Sequence, residues 1–321
     1  MKTIITIITL LIAGISMNYA QSCEDLLLAV QDNNVEKVKT LLNTQNPNCK
    51  FNSRLQPRTP LGMAATNGNV RIAKLLVASG AKVSYRHSND ASALMIAAQG
   101  GHFEFAKYLV DQGANVKKKI SGDGTPLISA VRGGNIDIVR LFLERGANPN
   151  VEVDGDGNAM IWAGGCDDPA ILKLLMKYSG DIDKETKGDG TALIRAAGGG
   201  KLTVVKALVE MGADVNKASD GDGNPLIAAS RGGHLEIVKF LVDAGAEVDA
   251  HVRGDETPLI GAAWSGHLEV VKYLVSQGAD VNKTVRDSFS LNSERRNPLK
   301  MARRGNHDEV VRYLLSKGAK D

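Results

Sequence analysis

The strongest constraint on the fold is an internal repeat of 33 residues. A leucine or methionine recurs at this interval without a slip, at Leu61, Leu94, Leu127, Met160, Leu193, Leu226 and Leu259. Glycines recur with the same period, at Gly68, Gly101, Gly134, Gly200, Gly233 and Gly266. Such self-similarity indicates stacked supersecondary elements rather than one compact core. The low aromatic content of 4 % and the 34 glycines also favour small repeated elements.

One period predicts two short antiparallel helices. Thr125 can cap the first helix, and Pro126 suits its first turn. Gly134 supplies the left-handed residue that ends this helix. The apolar pattern predicts a second helix from about Ile136 to Glu144, closed by Gly146 in the same way. Because one such pair cannot bury both of its faces, the repeats must stack on one another.

Several segments resemble the ankyrin repeat, most closely Thr257-Pro258-Leu259, Gly266-His267-Leu268 and Gly278-Ala279-Asp280-Val281-Asn282. The resemblance covers about residues 24–321. It implies an all-α repeat solenoid, a curved stack of about nine ankyrin repeats, each a helix-turn-helix followed by an extended loop or β-hairpin. The histidine that the family carries after Pro-Leu is replaced throughout, as by Ile260. We expect this change to exchange a polar link between repeats for apolar packing. The variant Gly-Asp-Gly-x-x-Leu-Ile, as at Gly122–Ile128, resembles ankyrin arrays of bacterial type.

The domain organisation follows from where the repeat begins and ends. Residues 1–20 predict a signal peptide cleaved after Ala20, because Lys2 precedes a short apolar stretch. Residues 21–321 form a single ankyrin-repeat domain. It contains an amino-terminal cap at about 24–57, regular repeats at about 58–283, an inserted loop at about 284–297 and a carboxyl-terminal cap at 298–321. The fifth repeat is irregular, because Gly165-Cys166-Asp167-Asp168-Pro169 replaces the usual turn and Ser179 replaces the closing glycine.

Export to the periplasm or the extracellular space makes oxidation of cysteine available. Cys23 lies at the start of the first helix and Cys49 just beyond the second, and antiparallel helices bring those ends together. We therefore predict a Cys23–Cys49 disulfide. Two alternatives remain, namely two free thiols or a lipid anchor on Cys23, which follows the apolar run as in a bacterial lipoprotein. Cys166 is interpreted as a small buried apolar residue.

The net charge of +3 points to neither nucleic acid nor membrane as a partner. No stretch after the leader is apolar for long enough to span a bilayer. The resemblance implies a protein partner of unknown identity, and we expect a monomer without a cofactor.

The resemblance to ankyrin repeats, whose partners usually contact the loop tips and the exposed end of the first helix, makes the residue at the end of each first helix the first candidate for partner contact. This row includes Arg132, Arg231, Trp264 and Arg304. An exposed Trp beside Arg is typical of a binding hot spot. The alternative is that Trp264 packs on a neighbouring layer and that the arginines are solvated.

A second candidate is a row of acids at the loop tips, formed by Asp90, Asp123, Asp156, Asp189, Asp222 and Asp255. These residues could meet a basic partner, or they could simply complete Gly-Asp-Gly turns. Two tips, Asp154–Asn158 and Asp220–Asn224, begin like a calcium loop, but Ala159 and Pro225 stand where its glycine belongs.

Metal and catalytic sites are not expected. His102, His234, His267 and His307 share one position of the repeat, so they lie in separate layers and are interpreted as second-helix starters. Gly198-Gly199-Gly200-Lys201 lacks the first glycine and the Ser or Thr of a phosphate loop. We predict a non-catalytic protein–protein interaction scaffold acting outside the cytoplasm. The alternative is an inhibitor or immunity-type protein that blocks one secreted or periplasmic enzyme.

Overall fold

The computed structural model describes residues 23–50, 59–84, 91–120, 122–252, 256–286 and 295–320. They fall into two compact units, Met1–Ala147 and Asn148–Asp321, called here the amino-terminal and carboxyl-terminal units. The prediction of a single domain over 21–321 stays a prediction. The leader at 1–20 lies outside the described residues, and no helix among the described residues is both long and apolar enough to cross a membrane.

The described residues of the amino-terminal unit form four helix pairs. They are α1 (residues 23–31), α2 (Val35–Leu41), α3 (Pro60–Asn67), α4 (Val70–Ala78), α5 (Ala93–Gln99), α6 (Phe103–Asp111), α7 (Pro126–Arg132) and α8 (Ile136–Glu144).

The carboxyl-terminal unit continues the pattern with five pairs and one short hairpin. They are α9 (Ala159–Gly164), α10 (Ala170–Lys177), α11 (Ala192–Gly198), α12 (Leu202–Glu210), α13 (Pro225–Arg231), α14 (Leu235–Asp243), α15 (Pro258–Ser265), α16 (Leu268–Ser276), β1 (Val285–Arg286), β2 (Arg295–Arg296), α17 (Pro298–Arg304) and α18 (Asp308–Ser316). Odd-numbered helices are the first helices of the repeats, and even-numbered helices are the second.

Helices form where the caps predict. The Thr125 hydroxyl accepts a hydrogen bond from the Ile128 N–H, with Pro126 in the first turn of α7. The predicted second helix from Ile136 to Glu144 is confirmed by α8. Within each unit, first helices pack on first helices and second helices on second helices, as α11 does on α9 and α13. Small residues such as Ala196 and Ala229 are fully buried between these layers. The all-α repeat architecture is therefore confirmed.

Polar side chains also link successive repeats, in addition to the apolar packing that we expected there. The Asn216 amide donates to the carbonyl of Gly245 at 3.1 Å and accepts from the Glu247 N–H at 2.9 Å. Asn150 and Asn282 make the same pair of bonds to the repeats that follow them. These bonds satisfy backbone groups just after each second helix and fix the spacing of the layers.

The fifth repeat keeps both helices despite its irregular sequence. Its first helix, α9, has six residues, and α10 begins after Pro169, which makes no side-chain cap. Ser179, in place of the closing glycine, adopts φ +63°, a left-handed conformation that is uncommon for a residue with a Cβ. The repeat therefore closes as its neighbours do, with some backbone strain at Ser179.

The amino-terminal cap contains the predicted disulfide. Cys23 and Cys49 are joined, with their Cα atoms 5.7 Å apart. Both cysteines are buried, at 3 % and 8 % exposure. The helix ends therefore meet as the antiparallel arrangement predicted.

The inserted loop starts and ends as a two-stranded antiparallel hairpin. Val285 pairs with Arg296 and Arg286 with Arg295. The Arg296 guanidinium forms an ion pair with the Glu256 carboxylate at 2.7 Å, with the two side chains 19 % and 8 % exposed. Val285 is buried against Ile260 and Met301. These contacts fix both ends of the insertion on the first helices of the last two repeats.

Candidate partner-binding surface

The ends of the first helices form an exposed row in both units. Every described member of the row is exposed: Thr66, Gln99 and Arg132 in the amino-terminal unit, and Gly165, Gly198, Arg231, Trp264 and Arg304 in the carboxyl-terminal unit. The row exists because each first helix buries most of its other residues between neighbouring layers. The resemblance to ankyrin repeats implied this exposure, whereas the choice of these residues as a binding site stays a prediction.

Trp264 is the most conspicuous member of the row. It is 41 % exposed, although large apolar side chains are usually buried. The Arg304 guanidinium lies over its indole ring, 6.0 Å from the ring centroid, at the outer limit of a cation–π contact. The arginine on Trp264 therefore comes from the following repeat.

A second Trp–Arg stack lies in the same unit, and sequence reasoning missed it. The Arg195 guanidinium lies 4.1 Å from the ring centroid of Trp162, and both residues are half-buried. The Trp162 indole N–H donates to the backbone carbonyl of Asp156 at the loop tip. Trp162 occupies the fourth position of the first helix, where other repeats carry residues such as Ala228 or Gly261. The departure from the repeat pattern at this position was the available signal.

Gly165 gives Arg195 the room to lie on Trp162. A Cβ atom at Gly165 would come within 2.9 Å of the Arg195 Nε, closer than real Cβ contacts. Cys166 follows, half-buried rather than fully buried, with its thiol donating to the Trp162 carbonyl at 3.8 Å. Burial raises the pKa of the Cys166 thiol, and the neighbouring Asp167 carboxylate adds to the rise. The thiol is therefore neutral at neutral pH.

The described loop-tip aspartates lie in tight hairpin turns. An isolated bridge closes each turn, for example between Thr186 and Gly190, with Gly188 and Gly190 at φ +86° and +68°. The Asp222 carboxylate accepts from the Ser219 hydroxyl and from the Gly188 N–H of the preceding tip, each at 3.2 Å. Asp222 therefore has a structural role at its own turn and at its neighbour's. Asp123, Asp156 and Asp189 occupy equivalent turns, whereas Asp90 and Asp255 lie outside the described residues.

The electrostatics of the tips centre on Asp189. Burial raises the pKa of the Asp189 carboxyl; the carboxylates of Asp222 and Asp156 add to the rise, and Arg195 opposes it. The Asp189 carboxyl is therefore influenced in opposite directions by its neighbouring tip carboxylates and by Arg195. This arrangement couples the loop tips to the first helices electrostatically.

The histidines link layers. His102, His234, His267 and His307 precede second helices as predicted, but none of them makes a side-chain cap. Each Nε2 lies 3.0–3.1 Å from the backbone carbonyl of a row residue in the preceding repeat: Thr66, Gly198, Arg231 and Trp264. They restore the polar link between repeats that the apolar residue after Pro-Leu was expected to remove.

The residues that resemble a calcium loop have other roles. The side-chain oxygens of Asn158 and Asn224 cap α9 and α13 by accepting from the N–H groups of Ile161 and Ile227. Within the described parts of the chain, no three His, Cys, Asp or Glu side chains are grouped so that they could hold a metal ion.

Comparison with known proteins places this geometry in a family. The family model described as ankyrin repeats in three copies matches residues 5–87, 26–120, 84–153, 127–219, 159–252, 217–285 and 251–321. Among solved structures, the crystal structure of the human ASB11 ankyrin repeat domain is similar, with a TM-score of 0.63 and 29 % identity. That match covers 70 % of this chain and 99 % of the human domain. The comparison with curated proteins gave no match.

Proposed function

The chain belongs to the ankyrin-repeat family, and we propose that it is a non-catalytic scaffold that binds its protein partner outside the cytoplasm. Ankyrin repeats are typically protein–protein interaction scaffolds. The proposal adds two points to that general role: the compartment in which the chain acts and the surface that contacts its partner. Partner contact is made by the first-helix row and the adjoining loop tips.

The exposure of Trp264 carries the surface assignment. Trp264 is 41 % exposed, so part of its apolar surface is in contact with water, which is unfavourable. Contact with a partner would bury that surface. It lies in a row of exposed residues and has Arg304 over its ring. Trp and Arg are the side chains enriched among residues that dominate binding energy.

Two features support the compartment. The sequence of residues 1–20 has the charged start and apolar stretch of a signal peptide. The Cys23–Cys49 disulfide fits an oxidising compartment, since cytosolic thiols are kept reduced. Fractionation of the producing cell checks this, and finding the chain in the cytoplasm with both cysteines reduced would refute the compartment.

Affinity capture with residues 21–321 tests the surface. We expect one or more proteins of the extracytoplasmic fraction to be retained by the native chain and lost with Trp264→Ala combined with Arg231→Ala. Leu315→Ala is the matched control, because Leu315 is 47 % exposed but lies on α18, a second helix. Equal capture by the double variant would rule out this surface. A single stoichiometric enzyme whose activity is blocked would favour the inhibitor alternative.

A further inference from the structure

We propose that the second-helix face of the amino-terminal unit binds the surface of a lipid bilayer that is rich in anionic phospholipid. The contact is electrostatic and involves no insertion into the apolar interior of the bilayer. The inference goes beyond the proposed scaffold function, because it concerns second helices rather than the first-helix row. It does not depend on the compartment in which the chain acts.

The basic residues of the chain are unevenly distributed. Between Glu36 and Asp90 the sequence has nine Lys or Arg residues and no Asp or Glu. This stretch includes most of α2 and all of α3 and α4. The small net charge of the whole chain therefore conceals a strongly basic segment, and such asymmetry indicates an anionic partner.

The described bases of this stretch and of the following repeat lie on second helices or in the segments that follow them, and all of them are exposed. They are called here the basic face: Lys37, Lys39, Lys50, Arg71, Lys74, Lys82, Lys107, Lys117, Lys118 and Lys119. Three acids, Glu36, Glu104 and Asp111, lie in the same segments, and the Asp111 carboxylate pairs with Arg145 at 3.0 Å. The basic face therefore has an excess of positive charge.

The basic face has two rows. Lys39, Lys74 and Lys107 occupy one repeat position on α2, α4 and α6, which pack side by side. The first row therefore has one Lys about every 8–10 Å. Lys82 and the run of three lysines that begins at Lys117 form the second row, beyond the carboxyl ends of α4 and α6. The basic face is thus a two-dimensional patch rather than a single line of charge.

The first row keeps its charge, whereas the same repeat position is neutralised elsewhere. In the carboxyl-terminal unit Lys272 pairs with the Glu269 carboxylate at 2.7 Å. Among the described residues, no carboxylate forms an ion pair with Lys74 or Lys107. The Lys74 Nζ lies 5.9 Å from the ring centroid of Tyr108 on the next second helix, and Lys74 stays exposed there. Its ammonium group therefore remains open to an anion in solution.

A patch of this kind matches the headgroup surface of an anionic bilayer. Lipid phosphates are spread over a plane and are mobile, so they can meet charges in both rows. Most residues of the basic face are Lys, whose ammonium group is a point charge on a flexible stem and needs no fixed partner geometry. Recognition of fixed carboxylates would instead favour the guanidinium fork of Arg, and Arg71 is the one Arg of the basic face.

Nucleic acid fits the basic face less well than lipid. A single strand is held by bases that stack on exposed aromatic rings, but Phe103 and Tyr108 on α6 are half-buried and Phe105 is buried. A duplex is read by a helix or a β-ribbon that enters a groove, whereas these second helices lie side by side. Large exposed apolar side chains are also missing from the described part of these segments, so the chain stays at the headgroup surface.

Vesicle binding by the full mature chain tests the inference. In about 0.1 M NaCl we expect the chain to sediment with vesicles of equal parts phosphatidylglycerol and phosphatidylcholine, and not with vesicles of phosphatidylcholine alone. Raising the NaCl concentration to about 0.5 M should release it, because salt screens exposed charges. No binding to the anionic vesicles, or equal binding to both kinds, would overturn the proposal.

Substitution of the first row identifies the face that binds. Each Lys near an anionic surface strengthens binding about fivefold, so Lys39→Gln, Lys74→Gln and Lys107→Gln together should weaken it about 100-fold. Because these three side chains are exposed, their replacement should leave the midpoint of urea unfolding nearly unchanged. An unchanged affinity for the anionic vesicles would refute the assignment of this face.

The matched control removes the same charge from the same repeat position in the carboxyl-terminal unit. It combines three exposed residues, as Lys173→Gln, Lys206→Gln and Lys272→Gln. We expect binding to weaken less than about threefold, because screening limits the effect of charges outside the contact. An equal loss in the control would show that the total charge of the chain, and not the basic face, attracts the vesicle.

Amine labelling locates the bound face without any substitution. On anionic vesicles, Lys74, Lys107 and Lys117 should react several times more slowly with an amine-directed reagent than in the free chain. Lys173 and Lys206 should react at unchanged rates. Uniform protection of all lysines, or protection of none, would contradict the proposed orientation.

Two comparisons separate this inference from its alternatives. Tighter binding of duplex DNA than of anionic vesicles, at equal phosphate concentration, would overturn the choice of a lipid surface. Trp264→Ala combined with Arg231→Ala should leave vesicle binding intact while it abolishes partner capture. Loss of vesicle binding in that double variant would place the lipid contact on the first-helix row and refute the inference.

Discussion

Removal of the Cys23–Cys49 disulfide should destabilise the amino-terminal cap by several kcal/mol. The two cysteines are 26 positions apart, so the closed loop holds 27 residues including both. In the chain-entropy model a loop of this length contributes about 3.5 kcal/mol. Replacing both buried cysteines with alanine also removes packed sulfur, which brings the expected loss to about 3–5 kcal/mol.

The effect should be local, because repeats are stabilised mainly by their nearest neighbours. The cap is tied to the second repeat by Asn48, which donates to the Gly80 carbonyl at 2.8 Å and accepts from the Lys82 N–H at 2.8 Å. Asn67 donates back to the carbonyls of Val30 and Gln31. Besides these bonds, the cap is held by buried apolar residues such as Leu26 and Val30, each 0 % exposed, so without the disulfide it stays attached less firmly.

Native-state hydrogen exchange of Cys23→Ala combined with Cys49→Ala measures the effect directly. Amides of α1 and α2 should lose protection by about two to three powers of ten, whereas those of α14 should not change. Cys166→Ala is the control for removal of a cysteine outside the cap. A loss of less than tenfold in α1 and α2, or an equal loss in α14, would refute the reasoning.

Three further predictions concern other contacts. Gly165→Ala should displace Arg195 from Trp162, because its Cβ would lie 2.9 Å from the Arg195 Nε; Trp162 emission in a Trp264→Phe background should change, and no change would contradict the close approach. Asp189→Asn should raise the melting temperature at pH 7 by about 1–2 °C. The pKa of Asp189 is raised in the folded chain, so folding favours its protonated form. This contribution to stability is fully present below the unfolded pKa of about 3.9. It is lost as the pH rises through the folded pKa, where the carboxyl ionises. The gain should therefore vanish near pH 3.5, and a constant gain would refute it. Arg296→Met should destabilise the last two repeats by about 3 kcal/mol in urea unfolding, since it leaves the buried Glu256 carboxylate without that ion pair; adding Glu256→Leu should recover most of the loss, and no recovery would argue against an ion-pair origin.

The repeat could be predicted from sequence because each element obeys a local rule. Thr125, Pro126 and Gly134 mark the ends of helices through their own backbone preferences, and α7 and α8 form where these residues place them. The exposure of the row from Arg132 to Arg304 was implied by the resemblance to ankyrin repeats. The pairing of Cys23 with Cys49 followed from the antiparallel order of two adjacent helices.

Contacts between repeats could not be predicted in the same way. The sequence placed Trp264 in a row with several arginines but did not show which of them lies over its ring; Arg304 does, and Arg195 lies over Trp162. Similarly, the histidine positions predicted helix starts but not the bonds of His267 and His307 to carbonyls one layer away.

The sequence by itself therefore determined the family, the helix pairs and which residue of each first helix is exposed, because these depend on neighbours within one repeat. The tertiary structure decided which arginine stacks on which tryptophan and which carbonyl each histidine contacts. It also showed that Asp222, Asp156 and Arg195 act on the pKa of Asp189. These contacts join residues about one repeat apart, and their partners depend on side-chain directions and layer spacing that a 33-residue period leaves open.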